Sequence, residues 1–542
     1  MKPVLTFSVS FIQQELKLIS FTMYYILVPS LLAVSALFVF AIYPLYVYFR
    51  DEKGFRKYPA INCIAGITNL GFMYEAMIGI RSQKLSQLHK THPVVRIGPN
   101  SLSFAGGEAI KDIYGHGSPC DKDKFYSVLA GTHFHLADVV DRPEHARKRK
   151  VLSAAYALKN LEDWEFKVAD KTERFIKACE KACTAPLKPG MEPDPMDVTF
   201  DYRMFTNFFT LDAIADIGLS ERLGFLDQGH DLCEAETADG KVYMTNYRTA
   251  LDSTALAQSH LIWAYGWYNF NVWLSKIVSR KYNELWKLNE HWNNIVNRRA
   301  RKRLTRYENG EKLNDFFQCL MEDRNGAENN LEWGEIVAEV SIMMNAGSAT
   351  TALAMVSAMY HLLRNPHVMD KLRAELDATL SPDEVVVPYQ KIKYLPYLRA
   401  VLDESLRMSP PTSFGLPRRT PPQGRSIGNQ YIPGDTSVSI SAYVAHRDES
   451  VFRDAEKFSP ERWLGEEGKA LQSSFVAFSA GARGCIGRNI SYLEQTVLLA
   501  SVVHRYEFAL PSKTWEPVRW ETTNFMMKDL PVKVWRRNLV AT

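Results

Sequence analysis

The stretch Phe478-Ser479-Ala480-Gly481-Ala482-Arg483-Gly484-Cys485-Ile486-Gly487 decides how this chain is read. A cysteine thiolate is a soft, charged metal ligand, and a glycine-rich loop lets backbone amides approach its sulfur and tune a bound metal. Gly481, Gly484 and Gly487 permit that approach. Phe478 supplies an apolar shield, and Arg483 brings a planar fork of donors that matches a carboxylate. A lone cysteine is more often a small buried hydrophobe. Here the whole pattern F-x-x-G-x-R-x-C-x-G favours the metal ligand.

That pattern resembles the haem-binding loop of the cytochrome P450 superfamily. The resemblance implies haem b, its iron bound axially by the Cys485 thiolate, which pushes electron density to favour O–O cleavage. It implies haem contacts from Phe478, Gly481, Arg483 and Gly487. It also implies a mainly α fold with small β-sheets, the superfamily's triangular prism, preceded here by a transmembrane helix.

Working outward, Leu398, Val401, Leu402 and Leu406 recur at helical spacing between Pro396 and the Pro410-Pro411 break. On that helix Glu404 and Arg407 stand three apart and share a face, as in the family's E-x-x-R. The segment Phe458-Ser459-Pro460-Glu461-Arg462-Trp463 is similar to the family's P-E-R-F/W. The resemblance implies one buried network of Glu404, Arg407 and Arg462, with a folding role and no part in the chemistry. Further upstream, Asp141 opens a helix towards Ala157 in which His145 and Arg149 take the places of the family's W-x-x-x-R, implying contacts to the haem propionates. Its other cations, Arg142, Arg147, Lys148 and Lys150, are candidates for a basic surface that receives an acidic reductase.

A run from Glu332 to Leu363 lacks proline and predicts one long helix, with Asn330 as its capping candidate. Its middle reads Asn345-Ala346-Gly347-Ser348-Ala349-Thr350-Thr351, where glycine and two threonines oppose helix propensity. Such conflict is expected at functional positions. The run resembles the family's A-G-x-D/E-T-T, which implies catalytic places for Ala346, Gly347 and Thr350. Thr350 can bond back to the Ala346 carbonyl and open a groove. The acid that usually precedes the threonine is replaced by Ala349. Proton delivery then falls to Thr350 with ordered water, to Ser348 or to Asn345, or the chemistry is not plain hydroxylation.

Apolar residues make up 46% of the chain and charged residues 23%, with a formal charge of +4, values of a globular enzyme without a nucleic-acid partner. The basic run Arg298 to Arg303 reads as a solvated helix face. Seven scattered cysteines give no disulfide framework and fit a reducing compartment. Residues 18–49 carry no charge, and Arg50, Lys53, Arg56 and Lys57 follow them. This predicts a single anchor over 24–49, bounded by tyrosines such as Tyr24, Tyr25, Tyr46 and Tyr48, after an N-terminal segment 1–23. A hinge over 50–60 and a catalytic domain over 61–542 follow, with the latter in the cytosol. Val94 to Asn100 and Ser101 to Phe104 predict a hairpin.

By family position the substrate pocket is expected around Phe125, Tyr126, Met343, Phe414, Leu416 and Phe525, with the Trp263 to Tyr268 region beside them. These residues suit a bulky apolar small molecule. In style the motifs are similar to filamentous-fungal microsomal members, many of which decorate secondary metabolites. The resemblance therefore implies an endoplasmic-reticulum monooxygenase fed from NADPH by a separate NADPH–cytochrome P450 reductase, with cytochrome b5 as a second donor. The chain has no G-x-G-x-x-G segment of its own for that nucleotide. The alternatives are desaturation, rearrangement or coupling without net oxygen insertion, and a non-enzymatic haem sensor.

Overall fold

In the computed structural model, which describes residues 25, 27–129, 131–153, 155–156 and 162–539, helices form the body and small sheets flank it. The helices that position the site are α1 (Val28–Arg50), α2 (Leu70–Ile78), α3 (Arg81–His89), α4 (Arg142–Ser153), α5 (Tyr202–Leu219), α6 (Tyr247–Leu261), α7 (Tyr268–Val278), α8 (Arg280–Glu308), α9 (Trp333–Arg364), α10 (Pro396–Met408) and α11 (Arg488–Arg505).

The proline-free run forms one helix of 32 residues, α9. It begins after Glu332, and Asn330 caps nothing, because its φ of +49° lies in the left-handed region outside the helix. From Thr351 to Leu362 every residue of α9 is buried, so this half is the axis of the core and has no polar face to show. Helices α5, α10 and α11 pack along it. Two glycines set how close α5 comes. A Cβ on Gly347 would lie 2.7 Å from the Ile214 side chain, and one on Gly218 would lie 2.3 Å from Met343 Cε. Each helix inserts a large side chain where the other has none.

A five-stranded sheet contains β1 (Val94–Gly98), β2 (Ser101–Phe104), β3 (Asp121–Lys122), β4 (Arg418–Arg419) and β5 (Ser437–Ser439), in the order β1-β2-β5-β4-β3. The expected hairpin is β1–β2, antiparallel with Val94 opposite Phe104. Strand β5 runs parallel to β2, with Ser437 opposite Ser101, and β4 returns antiparallel beside it. This pairing carries Lys122 and Arg418 towards the cysteine loop.

Helix α1 is apolar, long enough to cross a membrane, and unburied; the N-terminal segment 1–23 and Tyr24 lie outside the described residues. The residues expected to be a hinge are pinned to the body. Lys53 Nζ donates to Asn100 Oδ1 at 2.8 Å and to the Gly434 carbonyl at 2.9 Å. Phe55 is buried, and the Arg96 N–H donates to the Pro59 carbonyl at 2.8 Å. The basic run of α8 departs from expectation. Arg299 and Arg303 are buried and paired with Glu221 (2.8 Å) and Asp315 (2.8 Å), because α8 faces the core on that side.

Candidate active site

The cysteine loop is shaped by its own backbone. The Cys485 N–H donates to the Phe478 carbonyl at 2.9 Å and the Gly484 N–H to the Gly481 carbonyl at 3.0 Å. Gly481 has a φ of +67°, and a Cβ there would lie 2.0 Å from the Tyr114 carbonyl oxygen. Conformation and space both demand glycine at that position. At Gly487 the protein demands nothing, since a Cβ would meet only Tyr156 at 3.9 Å and Cys485 Sγ at 4.0 Å. That glycine leaves room above the sulfur. Cys485 is exposed, yet burial is the first cause raising its thiol above the ordinary value, opposed by the Gly487 N–H and by Arg149 and Arg488. The Cys485 side chain is thus accessible while standing in a loop closely surrounded by protein.

The loop is held by a buried network. Arg407 meets Glu404 through Nε (2.8 Å) and Nη2 (2.9 Å), with both side chains fully buried. Arg462 Nε (3.1 Å), Trp463 Nε1 (2.8 Å) and the Ser459 N–H (2.8 Å) donate to the same carboxylate. Sequence reasoning missed Trp463 as a donor, although it adjoins the arginine it reads. Arg407 Nη1 donates to the His446 carbonyl at 2.8 Å, and His446 Nε2 accepts the Val476 N–H at 2.9 Å. The network thus runs from α10 to the segment that leads into Phe478.

Next to the loop stand cations that lack partners of opposite charge. Arg483 donates to the carbonyls of Val139 and Val140, both at 2.9 Å. Arg149 Nη1 donates to the Gly484 carbonyl at 2.6 Å. Lys122 and Arg418 are buried beside them on β3 and β4, Lys122 4.6 Å above the Tyr126 ring and Arg418 Nη1 3.3 Å from the Tyr126 hydroxyl. Nothing in the local sequence distinguishes these two; only the strand pairing brings them here. Burial, followed by Arg418, lowers Arg483 to about 10 and Lys122 well below its usual value. Burial, Arg483 and Lys122 lower His145 to about 3, so its imidazole is neutral and keeps one N–H to donate. Mutually repelling cations beside the loop fit a ligand with carboxylates, and the two propionates of haem b answer that requirement. Among the described residues no group of three His, Cys, Asp or Glu is placed to hold a metal ion.

The expected basic docking surface on α4 is largely spent. Asp121 pairs with Arg142, Glu144 with Arg147 (2.8 Å), and Glu335 of α9 with Lys148 (2.6 Å), which is buried and also meets Glu339 at 3.2 Å. Lys150 remains exposed.

On α9, Thr350 Oγ1 donates to the Ala346 carbonyl at 2.9 Å, and Ala346 is exposed in a helix otherwise mostly covered. Gly347 is held against Ile214, so its lack of a Cβ serves the packing of α5 on α9. Ser348 is buried and bonded back to the Met344 carbonyl at 2.7 Å, so it cannot serve the groove. Thr351 is tied to Ser491 of α11 at 2.9 Å.

Four of the expected pocket residues meet. Phe125, Tyr126, Phe414 and Leu416 share one cluster with Trp263, the Phe125 and Trp263 rings being 4.8 Å apart. Met343 belongs instead to the main core against Gly218. Phe525 lies on the Phe525–Met527 strand, its ring 5.7 Å from Tyr443, and not in the aromatic cluster.

A family model described as Cytochrome P450 matches residues 69–535. The chain is 31% identical over 470 residues to the cytochrome P450 monooxygenase efuB of Hormonema carpetanum, covering 85% of this chain and 86% of that protein. It is 28% identical over 485 residues to the benzoate 4-monooxygenase bphA of Aspergillus niger, covering 87% and 90%. It is 27% identical over 500 residues to the cytochrome P450 monooxygenase atr2 of Stereocaulon alpinum, covering 90% and 92%.

Proposed function

This chain belongs to the cytochrome P450 family of monooxygenases, and from that premise we propose that it inserts one oxygen atom of O2 into a bulky apolar small molecule of secondary metabolism. Electrons come from NADPH through a separate reductase, with cytochrome b5 as a second donor. One observation carries the reading: an accessible Cys485 on its glycine loop stands beside Arg149 and Arg483, whose hydrogen bonds go to backbone carbonyls and not to carboxylates. Haem b, when bound, supplies the activation of dioxygen with two electrons.

The chain's own residues do the rest. Cys485 gives the thiolate, and the amides of Gly487 and Arg488 temper its charge. Arg149, Arg418, Arg483 and the neutral His145 would hold the propionates of a bound haem. Phe478, at 5.1 Å from the Tyr492 ring, and Arg488 above it shield the sulfur from water. Thr350 donates its hydroxyl hydrogen bond to the Ala346 carbonyl, which leaves its oxygen free to accept one from a water and so to position that water's remaining proton. Glu404, Arg407 and Arg462 act only by keeping the loop in place.

A second reading follows from Ala349, which leaves the groove without the usual acid: desaturation, rearrangement or coupling without net oxygen insertion. Co-expression with a fungal reductase and metabolite profiling under 18O2 decides between them. Incorporation of one labelled atom supports hydroxylation, whereas sustained turnover to an unlabelled product supports the second reading. A Cys485→Ser protein that keeps the thiolate-type carbon monoxide spectrum would overturn both.

The proposed location is the endoplasmic-reticulum membrane, with a single anchor over residues 24–49 that includes most of α1, and the catalytic domain in the cytosol. The unburied apolar surface of α1 and the cations after it support this orientation. So does the contact of Phe40 with Trp267, 5.3 Å between rings, which places the exposed apolar side chains of α7 beside the anchor.

A further inference from the structure

Arg81, the first residue of α3, is buried at 1% exposure, and its donors are incompletely satisfied by what surrounds it. Its Nη2 donates to the Thr522 carbonyl, but Nε and Nη1 have no hydrogen-bond partner. The nearest carboxylate, Glu521, lies 3.6 Å from Nε, beyond a hydrogen bond. Glu521 is also occupied elsewhere: it accepts the Ser82 N–H at 2.9 Å and the hydroxyls of Ser82 and Ser413. The acid that balances the Arg81 charge thus makes its short hydrogen bonds with three other, neutral donors, and leaves Nε and Nη1 without one.

The guanidinium instead lies against aromatic rings, 4.8 Å from Trp263 and 5.1 Å from Phe414. Both rings belong to the cluster that gathers Phe125, Tyr126 and Leu416, the residues expected to receive substrate. Phe72 closes it with its ring 4.7 Å from Trp263, and a small cavity opens between Phe72, Phe125, Trp263 and Pro417. Leaving buried N–H groups of a cation unpaired is costly, and cation–π contact offsets only part of that cost. A planar carboxylate would satisfy Nε and Nη1 together, because a guanidinium presents its donors in a fork that matches it.

We propose that Arg81 anchors a carboxylate of the substrate, so that this enzyme oxidises an organic acid whose apolar body lies among Phe72, Phe125, Trp263 and Phe414. The inference rests on the monooxygenase reading above and narrows its substrate class from apolar molecules to apolar acids. No bond is made or broken at Arg81, which orients the acid while oxidation occurs at the other end of the molecule.

The test is calorimetric titration of the full-length, haem-loaded protein in detergent with benzoate, 2-naphthoate and 4-phenylbutyrate, each beside its primary amide, which keeps the shape without the charge. At least one acid should bind about ten-fold or more tighter than its amide, the least expected of charge-assisted hydrogen bonds. Arg81→Met should erase that ratio without weakening the amide, and Arg81→Lys should restore part of it. Glu521→Gln should strengthen acid binding, because it removes the competing negative charge; it keeps the test decisive should Arg81→Met fail to fold. The proposal is overturned by equal binding of acid and amide, by no acid binding at all, by an acid preference that survives Arg81→Met, or by weaker acid binding in Glu521→Gln. The carbon monoxide spectrum of the same samples reports the haem-thiolate reading separately, so a failure of one is not mistaken for a failure of the other.

Discussion

Thr350 and Ser348 are both hydroxyl residues in the middle of α9, and they have opposite fates. Two helical positions turn the side chain by about 200°, which sends one towards the exposed Ala346 face and the other into the core. The sequence left Thr350, Ser348 and Asn345 open as proton carriers, and burial removes Ser348. Replacing Thr350 with alanine should lower product formed per NADPH consumed by about ten-fold, below the usual range for acid–base groups because water can fill the space. NADPH consumption should continue, and Thr350→Ser should recover coupling. Coupling unchanged in the alanine variant would remove Thr350 from the proton path. Arg483 and Arg149 could be picked out from their motifs, whereas Lys122 and Arg418 could not, because their role depends on two short strands meeting across nearly three hundred residues.

At the scale of elements, the site depends on how closely α5 and α9 approach. The Gly347 and Met343 positions looked like substrate or oxygen contacts, yet each is half of a reciprocal fit, Gly347 with Ile214 and Met343 with Gly218. Gly347→Ala should destabilise the protein by about 1–3 kcal/mol through overpacking. Adding Ile214→Val should recover most of that loss, measured by thermal denaturation of the single and double variants. If Gly347→Ala is as stable as the parent but inactive, the glycine serves catalysis after all. The Glu404–Arg407–Arg462 network was legible because its three residues sit in two short motifs. Its extension through His446 to Val476 was not, since His446 belongs to neither.

His446 also makes the whole molecule sensitive to acid. Burial lowers it to about 3 from an ordinary 6.5, and the Val476 N–H occupies the nitrogen that would take the proton. Its folded value lies below its unfolded one, so the stability it contributes is present above pH 6.5 and is lost as pH falls towards 3. Buried acids such as Glu494, pushed upward, titrate in the opposite sense, so the informative quantity is a difference between proteins. Between pH 6.5 and pH 5 the parent should lose about 2 kcal/mol relative to His446→Asn, and should release haem first, because the bond that breaks holds the cysteine loop. Parallel stability profiles would show that His446 does not titrate on unfolding. The exterior carries a second prediction. Trp267, just before α7, touches Phe40 of α1, and it and the exposed Trp273 and Ile277 of α7 should keep a protein lacking residues 1–50 partly membrane-bound. Changing Trp273 and Ile277 to serine should remove about 3 kcal/mol of transfer energy and release it in flotation assays. Full release by the truncation alone would confine membrane contact to α1.

The sequence by itself determined the family, the thiolate loop, the long proline-free helix, the apolar first helix and the salt-bridge motif, because each is written in a short contiguous run whose chemistry is local. Only the tertiary structure decided which cations stand beside the cysteine loop, which glycine is packing, which hydroxyl faces the exposed Ala346, and that Arg81 keeps two nitrogens without hydrogen-bond partners among the aromatic rings. Those facts depend on burial and on contacts between distant segments. Burial alters the worth of a charge or a methyl group in ways that no single stretch of residues encodes.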